Sequence, residues 1–128
     1  ESCPMLWTVE FLTLAARSLN PTGTLVTYAC GAAVRTALQA AGLQIGSTAP
    51  IGRRSPGTIA AWQGGLPTLS QQEQEHLLTR AAIPYRDPTL TDDAPTLRLR
   101  REREQAESQL EMSSHWKKRW TRRRSETG

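Results

Sequence analysis

The chain has 128 residues, about the size of one domain. Hydrophobic residues make up 38%, and no apolar run approaches the roughly 18 residues a membrane-spanning helix needs. Net charge is +4, from 16 basic and 12 acidic residues, which points toward a polyanionic partner rather than a cationic one.

In chain order, "TVEFLTLAARSLN", residues 8–20, reads as a helix. Thr8 can cap it and Glu10 sits in the first turn, where a carboxylate favours the helix dipole. Phe11, Leu12, Ala15, Ala16 and Leu19 form its apolar stripe. Asn20-Pro21 ends it, because the residue before a proline is pushed out of helical geometry. "TLVTYA", residues 24–29, is a strand with bulky residues in both alternation classes, which suits an interior strand covered on both faces. "GAAVRTALQAA", residues 31–41, is a second helix with Gly42 as its C-cap. "LQIGS", 43–47, and "GTIAAW", 57–62, are two further strands. The loop between them is too short for a helical crossover, so an antiparallel pairing is expected. The first 64 residues thus read α-β-α-β-β, an α/β pattern.

After Gly64-Gly65 the composition changes. "LSQQEQEHLLTRAA", 69–82, reads as a polar helix opened by a Ser70–Glu73 capping box. Residues 83–96 hold three prolines and read as an extended linker. Residues 97–112 are charged, with a thin apolar stripe of Leu97, Leu99 and Leu110, and read as a marginal helix or as disorder. Ser113–Gly128 holds six basic residues against one acid, Glu126, and interleaves them with Trp116 and Trp120. Three regions follow from this: 1–64, 65–96, and a mobile charged stretch at 97–128.

Catalytic motifs are scarce. No phosphate-loop, metalloprotease or nucleophile-elbow pattern is present. His76 and His115 stand alone in polar surroundings, and Asp92-Asp93 reads as a cap or as linker charge. Cys3 and Cys30 have neither metal-ligand spacing nor a disulfide pattern, so reduced thiols in a cytoplasmic protein are expected, with no metal. Cations are more informative. Arg53 and Arg54 lie between glycines in a short loop and can both reach a phosphate. Arg35 lies in the first turns of the second helix, where a cation opposes the dipole and so calls for a specific partner. In "HWKKRW", aromatics beside Lys117, Lys118 and Arg119 suit stacking on exposed bases with contacts to backbone phosphates.

Residues 6–60 carry a resemblance. An L-W-T-x-E-F-L helix opening (Leu6–Leu12) is followed by a P-x-G turn (Pro21–Gly23) and a strand ending in T-Y-A (Thr27–Ala29). Then come an A-A-V-R-x-x-L-x-x-A-G helix (Ala32–Gly42) and a G-R-R loop (Gly52–Arg54). In order and spacing this resembles the later half of the methyltransferase domain that makes 5-methylaminomethyl-2-thiouridine in the tRNA anticodon. The resemblance implies a class I, Rossmann-like sheet dependent on S-adenosylmethionine. Its strands five, six and seven would lie here, with strand seven inserted antiparallel.

The same resemblance implies several roles. Tyr28, Ala29 and Cys30 would form a side wall of the substrate pocket. Arg35, Arg53 and Arg54, with Lys117, Lys118 and Arg119 of the tail, would meet phosphates of the tRNA anticodon arm. The cofactor's glycine-rich loop, its ribose-gripping acid and a D-A-F-x-P segment would lie upstream of Glu1, leaving the isolated chain inactive. Some relatives carry a fused flavin-dependent oxidase domain. The competing reading is a small free-standing basic RNA-binding protein without catalytic activity.

Overall fold

The computed structural model describes residues 4–27, 29, 31–48 and 57–127, with the backbone alone for 121–127. A 3-10 turn, Pro4–Trp7, leads into α1, Val9–Arg17. The Thr8 hydroxyl accepts the Phe11 N–H at 3.0 Å, the cap expected from the sequence. Leu12 and Ala16 are buried on the inner stripe, while Phe11 stays exposed. β1 is Thr24–Thr27, α2 is Ala32–Ala40, β2 is Gln44–Ser47 and β3 is Thr58–Ala61.

The three strands form one sheet in the order β1-β3-β2. β3 pairs antiparallel with both neighbours, so β1 and β2 run parallel to each other on either side of it. The antiparallel pairing expected from the short β2–β3 loop is present.

Register decides which face is buried. Ala60 stands opposite both Leu25 and Ile45. That row packs against Leu12, Ala16, Val34, Ala37 and Leu38 of α1 and α2. One residue along, Val26 is 62% exposed. β1 is therefore covered on one face only among the described residues, not on both as its sequence suggested. On the other face of β2, a Cβ on Gly46 would collide with the Pro67 carbonyl oxygen. Glycine is required there because the 64–69 segment crosses so closely, with the Ser47 N–H donating to Pro67 O at 3.1 Å.

The second half of the chain is more ordered than its composition suggests. α3, Gln71–His76, opens on the full Ser70–Glu73 capping box but is only six residues long. A 3-10 turn follows at Arg80–Ala82. Residues 83–93, expected as an extended linker, are bonded to the start of α1. Tyr85 is buried and its carbonyl accepts the Val9 N–H at 3.0 Å. The buried Asp87 carboxylate accepts the backbone N–H groups of Thr91 and Asp92.

α4, Ala94–Glu107, is a regular helix where a marginal helix or disorder was expected. Asp93 caps it by accepting the Thr96 N–H at 3.0 Å, and Leu97 is fully buried. Its arginines reach backbone carbonyls. Arg101 donates to Ile83 O and Ala81 O, at 2.7 and 3.0 Å, and lies over the Tyr85 ring. Arg100 pairs with Asp92 at 2.7 Å. α5, Ser113–Thr127, ends the described chain.

Candidate functional site

In open α/β sheets, ligands bind outside the carboxyl ends of the strands. Here that end gathers Ala29 after β1, Ser47 and Thr48 at the end of β2, and Gly57 before β3. One buried cation ties them together. Arg35, 3% exposed, pairs with Glu73 of α3 at 2.6 Å. Its Nε donates to Thr58 Oγ1 at 2.9 Å and its Nη2 to Gly57 O at 3.0 Å. Thr58 Oγ1 in turn donates to Ala29 O at 2.7 Å. The neck of the β2–β3 loop is closed by Gly57 N–H on Thr48 Oγ1, 3.0 Å, and Thr48 N–H on Gly57 O, 3.3 Å.

Glu73 uses both oxygens. One accepts the Ser70 N–H at 2.9 Å; the other accepts the Ser47 hydroxyl at 3.2 Å and meets Arg35. Burial raises its pKa, but the hydrogen bonds to Ser70 and Arg35 and the Arg35 charge outweigh that. The net result is a carboxyl held below its usual range, ionised as the pairing requires.

Arg35 is therefore not placed as expected. It was expected to meet RNA phosphate, and instead its guanidinium is buried and fully engaged with protein groups. The unfavourable position of a cation at a helix start was the right signal for a specific partner, and that partner is Glu73. Arg119, also expected at phosphates, pairs with Glu111 and lies 3.9 Å from Glu75. Lys117 and Lys118 are exposed. Ala29 is at the strand end and half-buried. Tyr28, Cys30, Arg53 and Arg54 lie outside the described residues.

His76 stands alone in polar surroundings in the sequence. In the fold it stacks on Trp116, with ring centroids 4.8 Å apart and planes 8° from parallel. Burial, and then the charges of Lys117 and Arg35, lower its pKa. No local pattern foretold this contact, because its two halves lie 40 positions apart in sequence.

A cleft of about 520 Å³ opens at the far edge of the sheet, beside β2 and α3. Leu43, Ile45, Leu69 and Gln74 line it, and no ionisable side chain does. Among the described residues, no three His, Cys, Asp or Glu side chains gather as a metal site. No described helix is long and apolar enough to cross a membrane. A nucleoside cofactor in such a fold needs a glycine-rich turn and a carboxylate for its ribose. The β1–α2 junction supplies Gly31 but no acid in the first turn of α2, and Glu73 is committed to Arg35. The described residues do not by themselves form such a site.

Residues 1–63 match the sequence model of an S-adenosyl-L-methionine-dependent methyltransferase family. The structure is similar to the crystal structure of MNMC2 from Aquifex aeolicus. The two are 28% identical, with a TM-score of 0.76 over 83% of this chain. The chain spans 35% of that protein's length. No curated protein matches the chain closely.

Proposed function

We propose that this chain is the carboxyl-terminal portion of a tRNA methyltransferase. The enzyme would transfer a methyl group from S-adenosylmethionine to the aminomethyl nitrogen of the modified wobble uridine, giving 5-methylaminomethyl-2-thiouridine. The observation that carries this reading is the likeness to MNMC2, which extends over 83% of the chain, further than the family match over residues 1–63. It disfavours a free-standing RNA-binding module.

β1, β2 and β3 are then strands five, six and seven of a class I sheet. The antiparallel β3 between two parallel neighbours supports that numbering. Tyr28, Ala29 and Cys30 form a side wall of the substrate pocket, and Arg53 and Arg54 meet phosphates of the anticodon arm. The cofactor loop and the acid that positions the amine belong to the rest of the enzyme. The enzyme works in the cytoplasm, with tRNA as its partner and, as in some relatives, a flavin-dependent oxidase domain.

The test is methylation of tRNA that carries the unmethylated aminomethyl uridine, read by nucleoside mass spectrometry. The complete enzyme containing this chain is expected to add one methyl group per wobble uridine, and the 128 residues alone none. A complete enzyme inert on that tRNA overturns the reading. Turnover by the isolated chain overturns the placement of the cofactor loop elsewhere.

A further inference from the structure

α5 is the most cationic element of the chain. Its sequence holds Lys117, Lys118, Arg119, Arg122, Arg123 and Arg124 against a single carboxylate, Glu126. Its aromatic residues suggested a flexible segment that stacks on bases, and the structure gives them another role. Trp116 is 4% exposed and stacks on both His76 of α3, at 4.8 Å, and Trp120, at 6.3 Å. Positions 116 and 120 share one stripe of the helix, and that stripe is turned to the protein. The Trp116 indole N–H points to Glu75 Oε1 at 3.4 Å, fixing the same face to α3.

Lys117 and Lys118 follow Trp116 directly, so the helical turn carries them away from the packed stripe, and both are exposed. Arg119 is held by Glu111. Among the described residues, neither Lys117 nor Lys118 forms an ion pair. The result is a helix clamped by aromatic stacking along one side and displaying uncompensated ammonium groups on another.

We propose that α5 is a docking surface for the phosphate backbone of a double-stranded RNA stem. Fixed ammonium groups on a helix complement a regular ladder of phosphates, and binding of that kind is independent of base sequence. A single-stranded partner would need a free aromatic face, and the Trp116 face is occupied. The identity of the polyanion as RNA rests on the tRNA reading above; the surface itself rests on charge and geometry.

The experiment uses the 128-residue chain and a short RNA hairpin with a paired stem, titrated by fluorescence anisotropy across a salt series. The wild-type chain is expected to bind with a log–log salt dependence that the paired Lys117→Ala, Lys118→Ala variant reduces by about one to two. Affinity at low salt should fall by about tenfold, and Lys117→Arg with Lys118→Arg should restore both. Tryptophan emission should not be quenched by an unpaired oligonucleotide. An unchanged salt slope in the alanine variant overturns the proposal. So does tighter, quenching binding to the single strand, or lysine-dependent binding to phosphatidylserine vesicles without binding to the hairpin. The assay needs no turnover, so it fails separately from the methyltransferase reading. An enzyme that methylates its tRNA while the hairpin slope ignores both lysines refutes only the surface.

Discussion

Arg35 shows how one side chain can serve a site without touching a ligand. It sits near the positive end of α2, where its charge opposes the dipole, and it is removed from water. A carboxylate, a hydroxyl and a carbonyl answer three of its nitrogens. Removing Arg35 leaves the half-buried Glu73 carboxylate without its counter-ion and the Thr58 and Gly57 oxygens without their donor, which costs about 1–3 kcal/mol. Arg35→Met is expected to lower stability by that order, read from the urea unfolding midpoint. Arg35→Lys should recover only part of it, because an ammonium cannot span Glu73, Thr58 and Gly57 with one planar fork. A midpoint unchanged in Arg35→Met would mean that the network does not hold this end of the sheet. The sequence showed that Arg35 needed a partner. It did not name the partner, because Glu73 already had a complete local explanation as a capping-box residue.

Between elements, α3 meets α5 where the half-buried His76 stacks on Trp116. Its folded-state pKa lies below the ordinary 6.5, so the folded form resists protonation. The stability it contributes is fully present above pH 6.5. It is lost progressively as the pH falls below that value toward the lowered folded pKa. Glu73, with its own pKa lowered from 4.5, loses its contribution only in a more acidic window. Unfolding followed by Trp fluorescence should therefore weaken in two separate steps on acidification, and His76→Gln should remove the upper one. Persistence of the upper step in that variant would assign it to another group. α4 illustrates why such joints escape a reading by pattern. Asp93 and Leu97 were visible as a cap and an apolar position, yet Leu99 of the same stripe is 61% exposed. What orders the helix is Arg100 and Arg101 reaching residues 81–92, contacts that no periodicity encodes. β1 posed the opposite difficulty. Leu25 and Val26 look equivalent in sequence, and only pairing with Ala60 and Ile59 sorts them to opposite faces.

At the scale of the molecule, the ordered motifs from Leu6 to Arg54 made the first 63 residues legible as a methyltransferase segment. The rest was opaque because its bonds run back across the chain. Thr8 bridges Tyr85, Glu10 bonds the Asp87 amide, and Arg35 pairs with Glu73. The family match stops at residue 63, but the folded unit does not. A chain ended at residue 63 is expected to lose cooperative thermal unfolding by circular dichroism, since it deletes the Glu73 counter-ion of Arg35 and the Tyr85 and Asp87 bonds to α1. A sharp transition at the full-length temperature would show that the first segment stands alone.

The Arg35 network also bears on how mutational data for this protein would be interpreted. In a scan that scores activity alone, substitutions at Arg35 would look like those at an RNA-contacting arginine. The same would hold for Glu73 and Thr58, which carry no other mark of function. Measured together with protein abundance, these three positions would separate from the exposed Lys117 and Lys118. Loss at the first group would track the amount of folded protein, and loss at the second would not.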